Sequence, residues 1–209
     1  MQLGRKFYKV FKLIFYKIDH VFSWIITWIK FKLNGVVFFN DYVTRGRPVV
    51  NVNLKGSLTI GRKLILHNGR HYNIIGRQQP CYFIVGPNAH LSIGDHVGAS
   101  CIAIVCHNNI SIGNYVKIGG DVMIYDTDFH SLNSAVRSKL DEDTTQAQTS
   151  PVIIEEHVFI GAHSVILKGV TIGKRSIVGA ASVVTKSIPP NEIWAGNPAK
   201  FIRKIDELI

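Results

Sequence analysis

Branched aliphatic residues return every six positions along much of this chain. Ile112, Ile118 and Ile124 fall on the beat, which stops for almost thirty residues and resumes at Ile154, Ile160, Ile166, Ile172, Val178 and Val184. In register, the late units read IEEHVF, IGAHSV, ILKGVT, IGKRSI, VGAASV and VTKSIP. The second place often holds Gly, and a small or branched residue (Val158, Ser164, Val170, Ser176, Ser182) stands four places after the aliphatic. IGNYVK (112–117) and IGGDVM (118–123) keep the rule, while IGDHVG (93–98) and IGRKLI (60–65) match out of phase, as small insertions at corners would cause. Six is not a helical repeat, so these residues would hold no fixed face of a helix. The period predicts an all-β solenoid of very short strands. Three units close one triangular coil, the aliphatics point inward, and successive coils lie about 4.8 Å apart.

The first 33 residues follow a different rule. Phe7, Val10, Phe11, Ile14, Ile18, Val21, Phe22, Ile25, Trp28 and Ile29 recur at steps of three and four, the period of an amphipathic helix. Arg5, Lys9, Lys12, Asp19, His20, Ser23 and Thr27 fall on its other side. The longest charge-free run, His20 to Ile29, is half of what a spanning helix needs. No small-residue cleavage site follows, which argues against a secretory signal. Two fates suit such a stripe: the plane of an anionic bilayer, or packing on the protein's own body or a partner subunit. The lysines favour the bilayer. From Asn34 to Gly56, short β-rich runs separated by Asn-Gly, Arg-Gly and Arg-Pro read as a linker with incoming strands.

Composition changes this picture in two places. A net charge of +10 would suit a nucleic-acid binder, but the first 33 residues carry seven Lys and Arg against Asp19, or +6, leaving +4 for the rest. The basicity is therefore local, and no nucleic-acid partner is expected. Cys81, Cys101 and Cys106 are odd in number and lack CxxC spacing, which implies a reducing compartment without a disulfide or metal framework.

The pause in the beat falls at IYDTDFHSLN, residues 124–133. The axis of such a solenoid is filled with aliphatics, so chemistry must occur outside it, at a departing loop or between subunits. Residues 125–151 form the long excursion, with Asp126, Asp128 and His130 on alternate positions at its start. In extended chain these three point the same way, and a carboxylate beside an imidazole fixes its tautomer for general-base work. The competing reading is a solvated turn at a strand end.

The hexads, together with the closing segment NEIWAGNPAKFIRKI, resemble the bacterial hexapeptide-repeat acyltransferases, over about residues 56–205. The nearest branch is that of the sugar and polysaccharide O-acetyltransferases. The resemblance implies a left-handed parallel β-helix; the general crossover rule alone would favour the right hand. It also implies a short C-terminal helix within 191–209. The expected division is residues 1–33 as an amphipathic membrane-surface helix, which lies outside the family pattern, 34–56 as linker and entry strands, 57–190 as the catalytic domain with loop 125–151, and 191–209 as the C-terminal segment. The implied activity is transfer of an acetyl group from acetyl-CoA to a hydroxyl of a sugar or polysaccharide acceptor, with His130 as base beside Asp126 and Asp128. Ala162 and Ala180 would border the pantetheine arm, and Thr185, Lys186, Lys200 and Arg203 would lie near the nucleotide end. His107, Asn108 and Arg137 are candidates for acceptor binding. Three subunits side by side would share each site. No metal is implied. The expected location is the cytoplasm, peripheral at the inner face of the cell membrane.

Two other readings compete. A zinc hydratase of the carbonic-anhydrase type shares the fold and needs three His on one metal, but His157 and His163 would take different faces of the coil. A non-catalytic scaffold would have no use for the loop carrying His130.

Overall fold

The computed structural model describes residues 2–205. Its first element is helix α1 (Gln2–Leu33). The chain then winds through six coils, one for each strand of the six-stranded sheet. The first is β1 (Val43–Arg45), β2 (Val49–Val52) and β3 (Ser57–Ile60). The second is β4 (Ile65–His67), β5 (Tyr82–Val85) and β6 (His90–Ile93). The third is β7 (Gly98–Ser100), β8 (Ala103–Cys106) and β9 (Asn109–Ile112). The fourth is β10 (Lys117–Ile118), β11 (Met123–Tyr125) and β12 (Val152–Ile154), with α2 (Ser134–Arg137) and α3 (Leu140–Asp143) in the loop before β12. The fifth is β13 (Phe159–Ile160), β14 (Val165–Ile166) and β15 (Thr171–Ile172). The sixth has β16 (Ile177–Val178) and β17 (Val183–Val184), and Ile188 bridges to Ile172 on its third side. Three parallel sheets result, and the hexad beat is their register: Ile118 pairs with Ile160 and Ile160 with Val178, Ile124 with Ile166 and Ile166 with Val184, Ile112 with Ile154 and Ile154 with Ile172. None of these nine side chains is more than 4% exposed.

The other hexad places explain the corners. Gly at the second place is needed where coils touch: a Cβ on Gly119 would lie 2.5 Å from the Ala162 nitrogen, and one on Gly113 2.7 Å from that of Glu156. The fourth place takes the left-handed conformation at Tyr115, Asp121, His157, His163, Arg175 and Ala181 (φ 56–64°). The buried serines of the fifth place donate to corner carbonyls, Ser164 to Gly179 (3.0 Å), Ser176 to Pro189 (2.7 Å) and Ser182 to Gly179 (2.7 Å). A buried hydroxyl left without such a partner would destabilise the coil by roughly 1–3 kcal/mol.

Both ends are closed. Phe31 of α1 is fully buried and packs edge-on to Phe38 and against Tyr42, so it plugs the first coil. Tyr42 stacks on Trp24, and Lys30 Nζ donates to the Pro48 carbonyl at 2.6 Å. At the far end the expected C-terminal helix is absent from the described residues. Instead, β18 (Glu192–Ala195) pairs parallel with β16, and β19 (Lys200–Lys204) folds back antiparallel on it. The open edge of β18 needs hydrogen-bond partners, and the β-branched and aromatic FIR stretch suits a strand. Residues 206–209 lie outside the described chain.

Two more differences concern boundaries. The coil begins at β1, inside the stretch read as linker. A second excursion, residues 68–81, leaves between β4 and β5, so the loop after β11 is not the only one.

Candidate active site

The loop after β11 is fastened at a narrow neck. Asp126 is fully buried, and its carboxylate accepts from the backbone N–H groups of His107 (2.7 Å) and Asn108 (2.8 Å), at the same corner one coil earlier. Its carbonyl accepts from the Ser150 N–H at 2.9 Å, where the chain returns. Thr127 bridges antiparallel to Thr149, and the Asp128 N–H donates to the Gln148 carbonyl (3.0 Å). Phe129 then takes a left-handed turn (φ 63°) and throws His130 outward.

His130 is held from within the loop. Its Nδ1 lies 2.6 Å from Asp143 Oδ2, and Asp143 Oδ1 accepts from the Ser131 N–H at 2.8 Å. The imidazole is 64% exposed, whereas the Asp143 side chain is only 12% exposed. The hydrogen bond from His130, then that from Ser131, holds the Asp143 carboxyl below the usual carboxylate range, and the Arg137 charge adds to this. An ionised Asp143 requires the proton on Nδ1, so that in the neutral imidazole the lone pair is on Nε2. Two short helices build this arrangement. Asn133 caps α2 by accepting from the Ala135 N–H (3.0 Å), and α3 ends on Asp143.

The expected dyad is therefore corrected. Neither Asp126 nor Asp128 hydrogen-bonds the imidazole. Asp126 is consumed by the two N–H groups of the neck, and Asp128 Oδ2 lies 3.4 Å from Lys168 Nζ. Alternation fails here because the turn at Phe129 breaks the extended run that would have aligned them. Asp143 was missed because it lies thirteen residues on, in an acidic LDED run with no spacing signal. Arg137 is likewise turned inward, donating from Nη1 to the Ser131 carbonyl (2.8 Å), so it braces the loop. His107 and Asn108 lie at the neck from which the loop carrying His130 leaves. The exposed His107 ring stands edge-on to Phe129 at 6.1 Å, and Asn108 Nδ2 donates to Thr149 Oγ1 at 3.3 Å.

Ala162 and Ala180 stack at a different corner, between β13 and β14 and between β16 and β17. The Ala181 N–H donates to the Ala162 carbonyl at 2.8 Å, and Gly119, Gly161 and Gly179 leave this corner with little side-chain cover. The loop of residues 68–81 covers its upper end: a Cβ on Gly120 would meet Ile75, and Arg77 lies against His163 (3.1 Å) and Asp121 (3.6 Å). Thr185 and Lys186 follow β17 on the His130 side, and Lys200 and Arg203 lie on β19; all four are exposed. Within one protomer the alanine corner and the His130 corner border opposite edges of the face formed by β11, β14 and β17. Burial pushes the thiols of Cys81 and Cys106 up to about 12, so they are protonated and poor nucleophiles. Among the described residues no group of three His, Cys, Asp or Glu gathers for a metal, and His157 and His163 stand at different corners.

Comparison with known proteins agrees with this architecture. Residues 151–186 match the hexapeptide repeat of succinyl-transferase. The chain is 35% identical over 130 residues to the galactoside O-acetyltransferase of Escherichia coli (strain K12), covering 62% of this chain and 61% of the relative. It is 36% identical over 122 residues to that of Lactococcus lactis subsp. lactis (strain IL1403), covering 58% and 56%. This chain thus spans about three-fifths of the length of those relatives. Among solved structures, a hexapeptide-repeat acetyltransferase from Vibrio cholerae, complexed with acetyl coenzyme A, superposes with a TM-score of 0.55 at 25% identity, over 86% of this chain and 75% of that one. The N-acyltransferase AntD of Bacillus cereus, in complex with dTDP and 3-hydroxybutyryl-CoA, shares the fold, with a TM-score of 0.64 at 20% identity over 85% and 88%. The repeat over residues 151–186 and the left-handed parallel β-helix are thus similar to those of hexapeptide-repeat acetyltransferases.

Proposed function

We propose that the protein is an acetyl-CoA-dependent O-acetyltransferase acting on a sugar hydroxyl, as in a surface polysaccharide or its lipid-linked precursor. The observation that carries this reading is the His130–Asp143 pair, in which Asp143 holds Nδ1 while the imidazole stays open to solvent. The galactoside O-acetyltransferase relatives and the acetyl-CoA complex of the Vibrio cholerae structure support it.

The residues fit the cosubstrate. Its amide-bearing arm needs exposed backbone beside small side chains, which the Ala162 and Ala180 corner offers. Its phosphates need cations, which Lys186, Lys200 and Arg203 supply, with Thr185 as a hydroxyl donor. The bound thioester supplies an activated acetyl carbon. His130 Nε2 takes the proton of the acceptor hydroxyl as the new C–O bond forms, and returns it to the thiolate sulfur as the C–S bond breaks. Asp143 keeps Nδ1 protonated and stabilises the imidazolium formed between those events. His107 and Asn108 line the acceptor side. Three copies packed side by side would bring the alanine corner of one against the His130 corner of the next, which one protomer cannot do alone. The chain would then work at the cytoplasmic face of the cell membrane.

The test is calorimetric titration of acetyl-CoA, paired with turnover on sugar acceptors, for the wild type and His130→Ala. Binding by both with turnover only in the wild type is expected. Absence of binding, or undiminished turnover without His130, overturns the reading.

A further inference from the structure

Helix α1 sits on the coil with its polar side inward. Tyr16, His20, Ser23, Trp24, Thr27 and Phe31 share the side that meets the body, and Ser23 and Thr27 are fully buried there. His20 Nδ1 lies 2.9 Å from the Thr44 carbonyl. The apolar stripe therefore points away from the coil. Phe7, Phe11, Ile14, Ile18, Phe22, Ile25 and Ile29 are 42–71% exposed and follow one another at steps of three and four. A helix docking for its own stability would turn this stripe to the core and leave Ser and Thr outside. The body is thus ruled out as the stripe's cover.

The charges indicate what covers it. Asp19 is the only acid in α1, and it is taken up by Arg47 (3.2 Å) and the Tyr72 hydroxyl (2.5 Å). Arg5, Lys6, Lys9 and Lys12 therefore leave the exposed half of the helix, residues 2–15, with unopposed positive charge, and exposed Lys17 follows directly. A second copy laid on the stripe would bring two such rows together, whereas an anionic lipid surface complements them. No helix among the described residues is long and apolar enough to cross a membrane.

We propose that α1 docks this protein in the plane of an anionic bilayer, with the stripe from Phe7 to Ile29 at the acyl–headgroup boundary and the Ser23–Thr27 side carrying the coil. The first coil then stands nearest the lipid. His130 leaves from the fourth coil, three steps or roughly 14 Å further out at ~4.8 Å per coil, plus the thickness of one helix, about 10 Å. If the acetyl-transfer reading holds, on which this last step rests, the acceptor is a sugar carried on a lipid rather than a free one.

The experiment uses the full chain and sedimentation with vesicles of phosphatidylcholine alone, or mixed equally with phosphatidylglycerol. Three proteins are compared: the wild type, Phe11→Glu with Ile18→Glu, and Leu54→Glu, a fully exposed apolar residue off the stripe. Thermal unfolding followed by circular dichroism checks that all three are folded. Wild type and Leu54→Glu should pellet with the anionic vesicles only, and the double variant should partition at least about tenfold more weakly. Wild type left in solution with both vesicle types overturns the proposal. So does light scattering that shows, without lipid, a larger particle for the wild type than for the double variant, because the stripe would then join copies. Acetyl-CoA binding measured on the double variant keeps the two readings separate, since lost docking with retained binding concerns the membrane alone.

Discussion

His130 Nδ1 and Asp143 Oδ2 meet at 2.6 Å across a loop that leaves and rejoins the coil at one point. The contact fixes the tautomer of an imidazole that is otherwise open to solvent, and it ties the start of the loop to its second short helix.

Removing the imidazole should therefore affect the chemical step alone. His130→Ala is expected to lower kcat by about 10²–10⁴-fold while leaving acetyl-CoA affinity within a factor of a few. Asp143→Asn should lower kcat by a smaller factor, with KM for the acceptor little changed. Steady-state kinetics on both variants distinguishes a positioning carboxylate from one that merely holds the loop.

The same pair gives the acid limb of stability a sign. Asp143 has its folded pKa depressed, first by the bond from His130. Its contribution is therefore present above the ordinary carboxylate value, about 3.9, and is lost as pH falls through the lower folded value. Melting curves taken from neutral pH downward should fall less steeply for Asp143→Asn than for the wild type.

Asp126 is a structural residue of the neck, and its removal should be felt in folding. Asp126→Ala leaves the N–H groups of His107 and Asn108 without their acceptor, which should cost about 2–4 kcal/mol. Chemical denaturation measures this directly. Unchanged stability would mean that the neck does not hold the loop.

The alanine corner separates packing from binding. Gly161→Val places side-chain atoms against the Ala180 backbone of the next coil and should destabilise by about 1–3 kcal/mol. Ala180 is exposed, so Ala180→Leu should fold normally yet bind acetyl-CoA at least about tenfold more weakly, as read by calorimetry.

The three cysteines are free and buried. Native protein should resist alkylation at mildly alkaline pH and keep its turnover, whereas the denatured chain should take up three equivalents by mass spectrometry. Rapid loss of turnover under the reagent would return a thiol to the mechanism.

The coil was legible in the sequence because every hexad place has one fixed task. Ile118, Gly119, Asp121 and Val122 supply an inward stack, a close contact, a left-handed corner and a second inward stack, so the repeat and the geometry coincide. The position of His130 was legible for the same reason, since it lies where the repetition stops. Its partner was not, because the chain from Phe129 to Asp143 obeys no period. The C-terminal strand was missed because an unpaired sheet edge, which FIRK satisfies, exists only in three dimensions. Amphipathicity identified α1 as a helix, but the pattern says nothing about which side meets the body. Ser23 and Thr27 face inward because Phe31, Trp24 and Tyr42 lock the helix in that rotation at its C-terminal end.

The neck also has a consequence for how such proteins diverge. Ile124 and Ile154 stand on either side of it, and both stack on the coils above and below. The two ends of the chain between Asp126 and Ser150 meet, joined by a 2.9 Å hydrogen bond and the Thr127–Thr149 bridge beside it. Nothing in the coil's register depends on what that segment contains. The loop is thus an interchangeable cassette: a different insertion with the same two ends would find the same scaffold ready for it, while the solenoid is inherited intact.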